Sequence, residues 1–255
     1  MRFRPCIDIH GGKVKQIVGS TLSDNVAKSP VTNFVTDTPP AHFARMYLRD
    51  GLYGGHVIML GPGNEDAAIQ ALAAFPGGMH AGGGITPVNA MRYLDAGASH
   101  VIVTSFVFKN GWINRDNLDA MVKATGKRRL VLDLSCKKIN DLYYIATDRW
   151  QKITTVTINP NALESLASCC DEFLVHAVDV EGKQQGIDAE LVSLLSEISP
   201  IPVTYAGGVG SMADLDSIYK YGRGSVDATI GSALDIFGGP LSYADVVEWH
   251  KKHLS

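Results

Sequence analysis

Two aspartates each close a short apolar run, Asp8 after Pro5-Cys6-Ile7 and Asp133 after Leu130-Val131-Leu132, and they lie 125 positions apart. Two glycine-rich segments, Ala81-Gly82-Gly83-Gly84-Ile85 and Ala206-Gly207-Gly208-Val209-Gly210, keep the same offset of 125. A carboxylate at the end of an apolar strand is costly to bury without a task or a partner. Two at matched places suit acid–base chemistry, in which one accepts a proton and the other gives one because their surroundings separate their pKa values. Glycines at a strand-to-helix turn let backbone N–H groups approach an anion closely, and the helix dipole adds attraction. Each glycine run is followed one strand later by an end with small hydroxyl-bearing residues, Thr104-Ser105 and Gly231-Ser232. The pattern therefore offers two phosphate cups, Gly83, Gly84, Thr104 and Ser105 in one and Gly207, Gly208, Gly231 and Ser232 in the other. A small molecule with a phosphate at each end would fill both.

Single residues add to this list. His176 and Asp179, near the end of a sixth apolar run, could touch a substrate, and Asp179 could instead orient a loop. Trp150 stands in a long connection, where an indole is useful if it stacks on a ring. His10, two residues after Asp8, is as readily a structural hydrogen-bonding group.

The elements that must position these residues alternate. Short β-branched runs at 5–9, 56–60, 79–82, 100–104, 130–134, 173–178, 203–206 and 228–230 are separated by stretches of helical period at 41–50, 65–75, 87–96, 115–124, 162–170, 189–197, 213–221 and 243–250. Eight such pairs in a chain of 255 residues predict an α/β protein of the (β/α)8 TIM barrel class. A doubly wound open sheet also alternates, but nothing in it calls for a repeat at half its length. No linker or low-complexity block divides the chain, so one barrel domain over 1–255 is expected, built from duplicated half-barrels of about 1–125 and 126–255. Two connections at the strand C-terminal ends are long, 19–37 and 136–158, and read as covers for the site; the second, with Tyr143-Tyr144-Ile145 before Arg149-Trp150, suggests a small hairpin.

Composition narrows the function classes. The chain is 45% hydrophobic and 19% charged with a net charge of −3, which fits a core-forming globular protein and gives no field for nucleic acid or an acidic membrane. The only basic block, Lys127-Arg128-Arg129, reads as a helix end entering a strand. Cys6, Cys136, Cys169 and Cys170 form no C-x-x-C pair, so no metal site and no disulfide framework is expected. No apolar run approaches the length of a membrane span. The expectation is a cytoplasmic monomer, or a plastid protein if a targeting segment has been removed, that acts on a small bisphosphorylated molecule.

The segments Cys6-Ile7-Asp8-Ile9-His10-Gly11-Gly12-Lys13-Val14-Lys15-Gln16-Ile17-Val18-Gly19, Val131-Leu132-Asp133-Leu134-Ser135, Asp179-Val180-Glu181-Gly182 and Gly231-Ser232-Ala233-Leu234-Asp235-Ile236-Phe237-Gly238-Gly239 resemble the phosphoribosylformimino-5-aminoimidazole carboxamide ribotide isomerases of histidine biosynthesis, in their eukaryotic and plant-like form. The resemblance runs from about residue 4 to residue 250. It implies a duplicated (β/α)8 barrel without metal or organic cofactor, and an Amadori rearrangement of an aminoaldose carrying two ribosyl phosphates to the aminoketose. It further implies Asp8 as acceptor of the C2′ proton, Asp133 as donor for ring opening and Trp150 as the indole that stacks on the substrate. The chain departs from bacterial members, which carry Asp-Gly-Thr after strand six and often Arg where Thr86 stands. Two related barrels remain open as alternatives, the cyclase subunit of imidazole glycerol phosphate synthase and phosphoribosylanthranilate isomerase, whose usual Cys base is only loosely matched by Cys6. A silent phosphosugar-binding barrel is a third.

Overall fold

The computed structural model describes residues 1–17, 32–109, 111–147, 150–181 and 186–254. Eight parallel strands form its centre: β1 (Phe3–His10), β2 (Gly55–Met59), β3 (Met79–Gly82), β4 (His100–Val103), β5 (Leu130–Asp133), β6 (Glu172–His176), β7 (Val203–Ala206) and β8 (Val226–Ile230). Each pairs with the next, and β8 returns to β1 through Phe3↔Ala228, Arg4↔Thr229 and Pro5↔Ile230, so the sheet closes into a barrel. The helices α1 (Pro40–Arg49), α2 (Glu65–Ala74), α3 (Ala90–Asp95), α4 (Arg115–Thr125), α5 (Pro160–Ala167), α6 (Ala189–Ile198), α7 (Met212–Tyr221) and α8 (Tyr243–His253) each follow the strand of the same number. Every predicted strand and helix is present.

Local chemistry accounts for the boundaries. Asn114, Asn159, Asp188, Ser211 and Ser242 each accept the N–H three residues on and start α4, α5, α6, α7 and α8. Helix α3 begins at Ala90 rather than at the expected 87 because Asn89 accepts the Thr86 N–H at 2.8 Å and donates to the Gly84 carbonyl at 3.0 Å, holding 86–89 in a turn.

Side chains alternate across each strand, so β1 presents Arg4, Cys6 and Asp8 to the barrel interior at three levels. At the bottom, Arg4 pairs with Glu172 at 2.7 Å and Asp227 at 2.8 Å, and Thr204 donates to the second Glu172 oxygen at 3.1 Å. Ile58, Ile102, Val131, Leu174 and Ala206 fill the middle. The top level is polar. Between the barrel wall and the helices, the main apolar core runs around the molecule, with Phe3, Tyr47, Phe75 and Phe173 fully enclosed.

Both long connections carry antiparallel strands. Lys13–Ile17 folds back on the end of β1 and pairs with Thr32–Thr36; residues 18–31, most of the expected first cover, lie outside the described residues. The second cover is richer than the expected hairpin. It is a three-stranded sheet of Cys136–Ile139, Leu142–Thr147 and Lys152–Thr157, its first turn made by Asn140 (φ 47°) and Asp141 (φ 64°) in the left-handed region that a two-residue hairpin requires.

The ion cluster at the barrel bottom is a testable element of stability. Glu172→Ala leaves the Arg4 guanidinium buried with half its compensation and is expected to destabilise the protein by about 3 kcal/mol. Urea denaturation giving a loss below about 1 kcal/mol would show that water reaches Arg4 readily.

Candidate active site

A cavity of about 750 Å3 opens at the C-terminal ends of the strands. Asp8, Gly83, Gly84, Thr104, Ser105, Asp133, Trp150, His176, Gly207, Gly208, Gly231 and Ser232 all line it. Ring order places β1 opposite β5 and β3 opposite β7, so the two carboxylates face each other along one diameter and the two glycine cups along another.

The cups are built from main chain. Gly83 has φ 92° and Gly208 φ 76°, and a Cβ at either would collide with a carbonyl, that of Met59 or of Gly186. Behind them, Asn89 takes the Thr86 N–H at 2.8 Å, and Asp214, again 125 positions on, takes the N–H groups of Gly210 and Ser211 at 3.0 and 2.9 Å. Among the described residues, the N–H groups of Gly84, Ile85, Val209 and Ala233 have no protein acceptor and remain available to an anion. No lysine or arginine lines the cavity among the described residues, so attraction for an anion there comes from main-chain N–H groups, hydroxyls and helix dipoles.

The carboxylates sit in unequal surroundings. Asp8 accepts one hydrogen bond, from Gln16 Nε2 at 3.1 Å. Burial, reinforced by the nearby Glu181 carboxylate, pushes its carboxyl up to about 7, against the opposing pull of His176 and Gln16. Asp133 accepts the Ser135 N–H and hydroxyl at 2.9 and 2.8 Å, the Thr104 hydroxyl at 3.2 Å and His176 Nδ1 at 3.2 Å. Burial would raise Asp133, but the imidazolium beside it and these donors outweigh burial and hold it below the usual carboxylate range. His176 responds in kind: burial would lower it, yet Asp133, then Glu181 and Asp8, raise it to about 9. The Asp133–His176 pair thus keeps its proton on the imidazole at neutral pH, while Asp8 stands near half-ionised. Burial brings His56, also on the cavity wall, down to about 3, so it is neutral.

Asp179 is not in the cavity. It is exposed and accepts the Lys138 N–H at 3.1 Å, which ties it to the loop sheet rather than to the cavity wall. The turn at Ala177–Glu181, closed by Val180 and Glu181 N–H bonds to the Ala177 carbonyl, aims Glu181 inward instead. Glu181 Oε2 is buried without a hydrogen-bond partner, beside Gly207. Burial raises the Glu181 carboxyl, with His176 pulling against it. Sequence reasoning also missed Gln16 and His56. Glu181 was within reach, since it lies in the quoted Asp179-Val180-Glu181-Gly182 run, two positions from the residue chosen; Gly182 itself is outside the described residues.

Trp150 has φ 67°, a left-handed conformation that costs a tryptophan about 1–2 kcal/mol. Its ring lies 6.0 Å from that of His176 at an interplanar angle of 46°, which puts the indole over the Asp133–His176 side of the mouth. The arrangement can take a proton at Asp8 and give one from the opposite wall, with an anion held at each end of the other diameter.

A family model described as histidine biosynthesis protein matches residues 2–239. A chloroplastic 1-(5-phosphoribosyl)-5-((5-phosphoribosylamino)methylideneamino)imidazole-4-carboxamide isomerase of Medicago truncatula is 57% identical over 99% of this chain and 82% of its own length. Isomerases of the same name from Neurospora crassa and Saccharomyces cerevisiae are 49% and 42% identical, each over 98% of this chain and 99% and 98% of their own lengths.

The raised Asp8 carboxyl has a consequence for stability. Folded Asp8 keeps its proton up to about pH 7, whereas the unfolded chain loses it near 3.8, so stability is full below that lower value and is lost as pH rises through about 7. Asp8→Asn removes the cost of the buried charge and keeps an oxygen for Gln16. It is expected to stabilise the protein at pH 8 by on the order of 2 kcal/mol, the residual solvent contact of Asp8 holding the gain below its full value. The gain shrinks toward zero near pH 4. Denaturation series at both pH values check this, and a variant less stable than the parent at pH 8 contradicts it.

Proposed function

Since the chain belongs to the histidine biosynthesis protein family, we infer that it carries out the reaction for which its relatives are named, the isomerisation of the bisphosphorylated imidazole carboxamide aminoaldose to its aminoketose. It is an intramolecular oxidoreductase of the aldose–ketose type, acting in histidine biosynthesis. The observation that best supports the roles below is the unequal surroundings of two equivalent carboxylates, one bonded among the described residues only to Gln16 and the other to Ser135, Thr104 and His176, across one cavity flanked by two glycine cups.

The two cups take the two ribosyl phosphates, which stretch the substrate across the mouth and set the aminoaldose between the carboxylates. The Asp133–His176 pair delivers a proton to the furanose ring oxygen. The C1′–O bond then breaks and the nitrogen lone pair forms the C1′=N iminium. Asp8, ionised, removes the C2′ proton, and the electrons of that C–H bond form the C1′=C2′ double bond of the enolamine. The C2′ hydroxyl then gives its proton back to the His176 imidazole as the ketone forms, and protonated Asp8 delivers its proton to C1′, so both walls end as they began. Hydrogen moves from C2′ to C1′ within one molecule, so atoms and electrons balance without an external oxidant or reductant. Asp133 is assigned a narrower role than sole donor: it keeps the imidazole of His176 protonated and aimed, and the pair acts as the acid. Glu181 keeps Asp8 basic enough to take a carbon-bound proton. Trp150 stacks on the substrate over His176.

No second subunit is needed, because the two halves of one chain supply both cups and both walls. No described helix is long and apolar enough to cross a membrane. The place of work is the cytoplasm, or the plastid where a targeting segment precedes the chain, as the chloroplastic relative's name suggests.

Two measurements check these roles. The pH profile of kcat/KM should be bell-shaped, rising through about 7 as Asp8 ionises and falling through about 9 as His176 loses its proton. Glu181→Gln should move both limbs to lower pH, by removing a charge that helps raise Asp8 and His176 alike. A flat profile between pH 6 and 8, or an acid limb unmoved in the variant, would refute the assignment of Asp8.

Asp8→Asn and Asp133→Asn should each lower turnover by about two to four orders of magnitude, with substrate affinity within about tenfold. The purified protein should convert the bisphosphorylated aminoaldose to the ketose with neither ammonia nor a glutaminase present. Formation of a cyclised product on adding ammonia would select the cyclase instead.

A further inference from the structure

Each long connection is tied to the N-cap of the helix that follows the neighbouring barrel strand. In the first half, Asn64 at the N-cap of α2 is fully buried, accepts the Gly12 N–H at 2.8 Å and donates to the Gly61 carbonyl at 2.8 Å. In the second, Asp188 at the N-cap of α6 accepts the Leu191 N–H at 3.0 Å and the hydroxyl of Tyr143, whose oxygen lies 2.8 and 2.9 Å from the two carboxylate oxygens. The two caps are 124 positions apart, one short of the repeat. Duplication kept the tie and changed its chemistry, from a main-chain N–H in one half to a phenol in the other.

The phenol connects two parts of the mouth. Tyr143 lies on the middle strand of the loop sheet, Leu142–Thr147, and is 6% exposed. Farther along that strand Ala146 and Thr147 reach the cavity, and Trp150 follows. On the other side, the Asp188 N–H donates to the Tyr205 phenol oxygen on β7 at 2.9 Å. Gly186, two residues earlier, donates its N–H to the Gly208 carbonyl at 3.0 Å, and its own carbonyl fills the space that a Cβ on Gly208 would need. Asp188 therefore touches the loop sheet, α6 and β7 at once, next to the second cup. A parallel tie runs from Lys138 of the same sheet to Glu190 in the first turn of α6.

We propose that the Tyr143–Asp188 hydrogen bond is a positioning device that couples occupation of the Gly207–Gly208 cup to the placement of Trp150 over the reacting sugar. The proposal rests on the assignment of that cup to a substrate phosphate. An anion drawn into the cup pulls on Gly208, Gly208 is paired with Gly186, and the segment from Gly186 to Asp188 carries the change through Tyr143 to the strand that leads to the indole. Tyr143 and Asp188 touch no substrate; they act through Trp150 and Thr147.

The test uses Tyr143→Phe, and Asp188→Ser as a second variant that retains an oxygen to cap Leu191 but is too short to reach the Tyr143 hydroxyl, if the first fails to fold. Trp150 emission, isolated from Trp112 and Trp249 by difference against Trp150→Phe, is followed while inorganic phosphate is added to the full chain; melting temperature reports phosphate binding in the same samples. Wild type should show a Trp150 change that saturates with phosphate. Both variants should still be stabilised by phosphate, but their Trp150 signal should no longer follow it. Their kcat/KM should fall ten- to a hundredfold, with KM rising more than kcat falls, because a misplaced stacking group weakens ground and transition states together. A wild-type Trp150 signal that ignores bound phosphate overturns the proposal, as do variants that keep both the signal and wild-type kcat/KM. Absence of any turnover by wild type would count against the proposed reaction alone, since the phosphate titration needs no substrate.

Discussion

A barrel made of two like halves presents a like carboxylate from each, and acid–base chemistry requires them to differ. The ion pair between His176 and Asp133, with nitrogen and oxygen 3.2 Å apart, creates that difference. Beside Asp8, opposite, the described residues place no hydrogen-bonded cation; they place the uncharged Gln16 amide and, close by, the Glu181 carboxylate. One wall therefore stores a proton and the other seeks one. The remaining features of the mouth keep this arrangement dry and aimed: Ser135 and Thr104 fix Asp133, the inner apolar level of Ile58, Ile102, Val131, Leu174 and Ala206 closes the floor, and the Arg4 cluster seals the far end.

A cavity with no lysine or arginine among its described lining residues fits the same requirement. A lysine or arginine beside Asp8 would favour its ionised form at all working pH values and so weaken it as a base. Main-chain N–H groups offer a phosphate several directed donors while adding only partial charge. Under the proposed function the cups on β3 and β7 would attract the ends of a bisphosphate without placing a full charge beside the carboxylates on β1 and β5. The halves would then stay alike where the substrate is alike, at its phosphates, and diverge where the chemistry is directional.

The architecture was legible because it follows from patterns of short range. Eight apolar runs, their helical spacers and the 125-residue offset give the barrel, and all the cup glycines, both aspartates, His176 and Trp150 fall on one cavity. What escaped depended on side-chain direction over a few residues. Asp179 and Glu181 are two positions apart in an irregular turn, where strand alternation no longer says which one faces inward. Gln16 reaches Asp8 only because Lys13–Ile17 folds back on β1, and a return of that kind has no periodic signature. His56 reads in sequence as one polar residue in a buried strand, and only barrel closure puts it on the cavity wall. The tie of Tyr143 to Asp188 spans 45 positions and joins a loop to a helix cap, a pairing invisible to spacing.

The unequal charging of the two walls rests on His176 holding its proton. The most direct measurement is an NMR titration of the ligand-free protein with 15N-labelled histidine, following the two imidazole nitrogens of His176. Both should carry a proton at pH 7.5 and titrate near 9. A His176 that is neutral at pH 7.5 and titrates near 6.5 would contradict the account, because neither wall would then hold a proton to give.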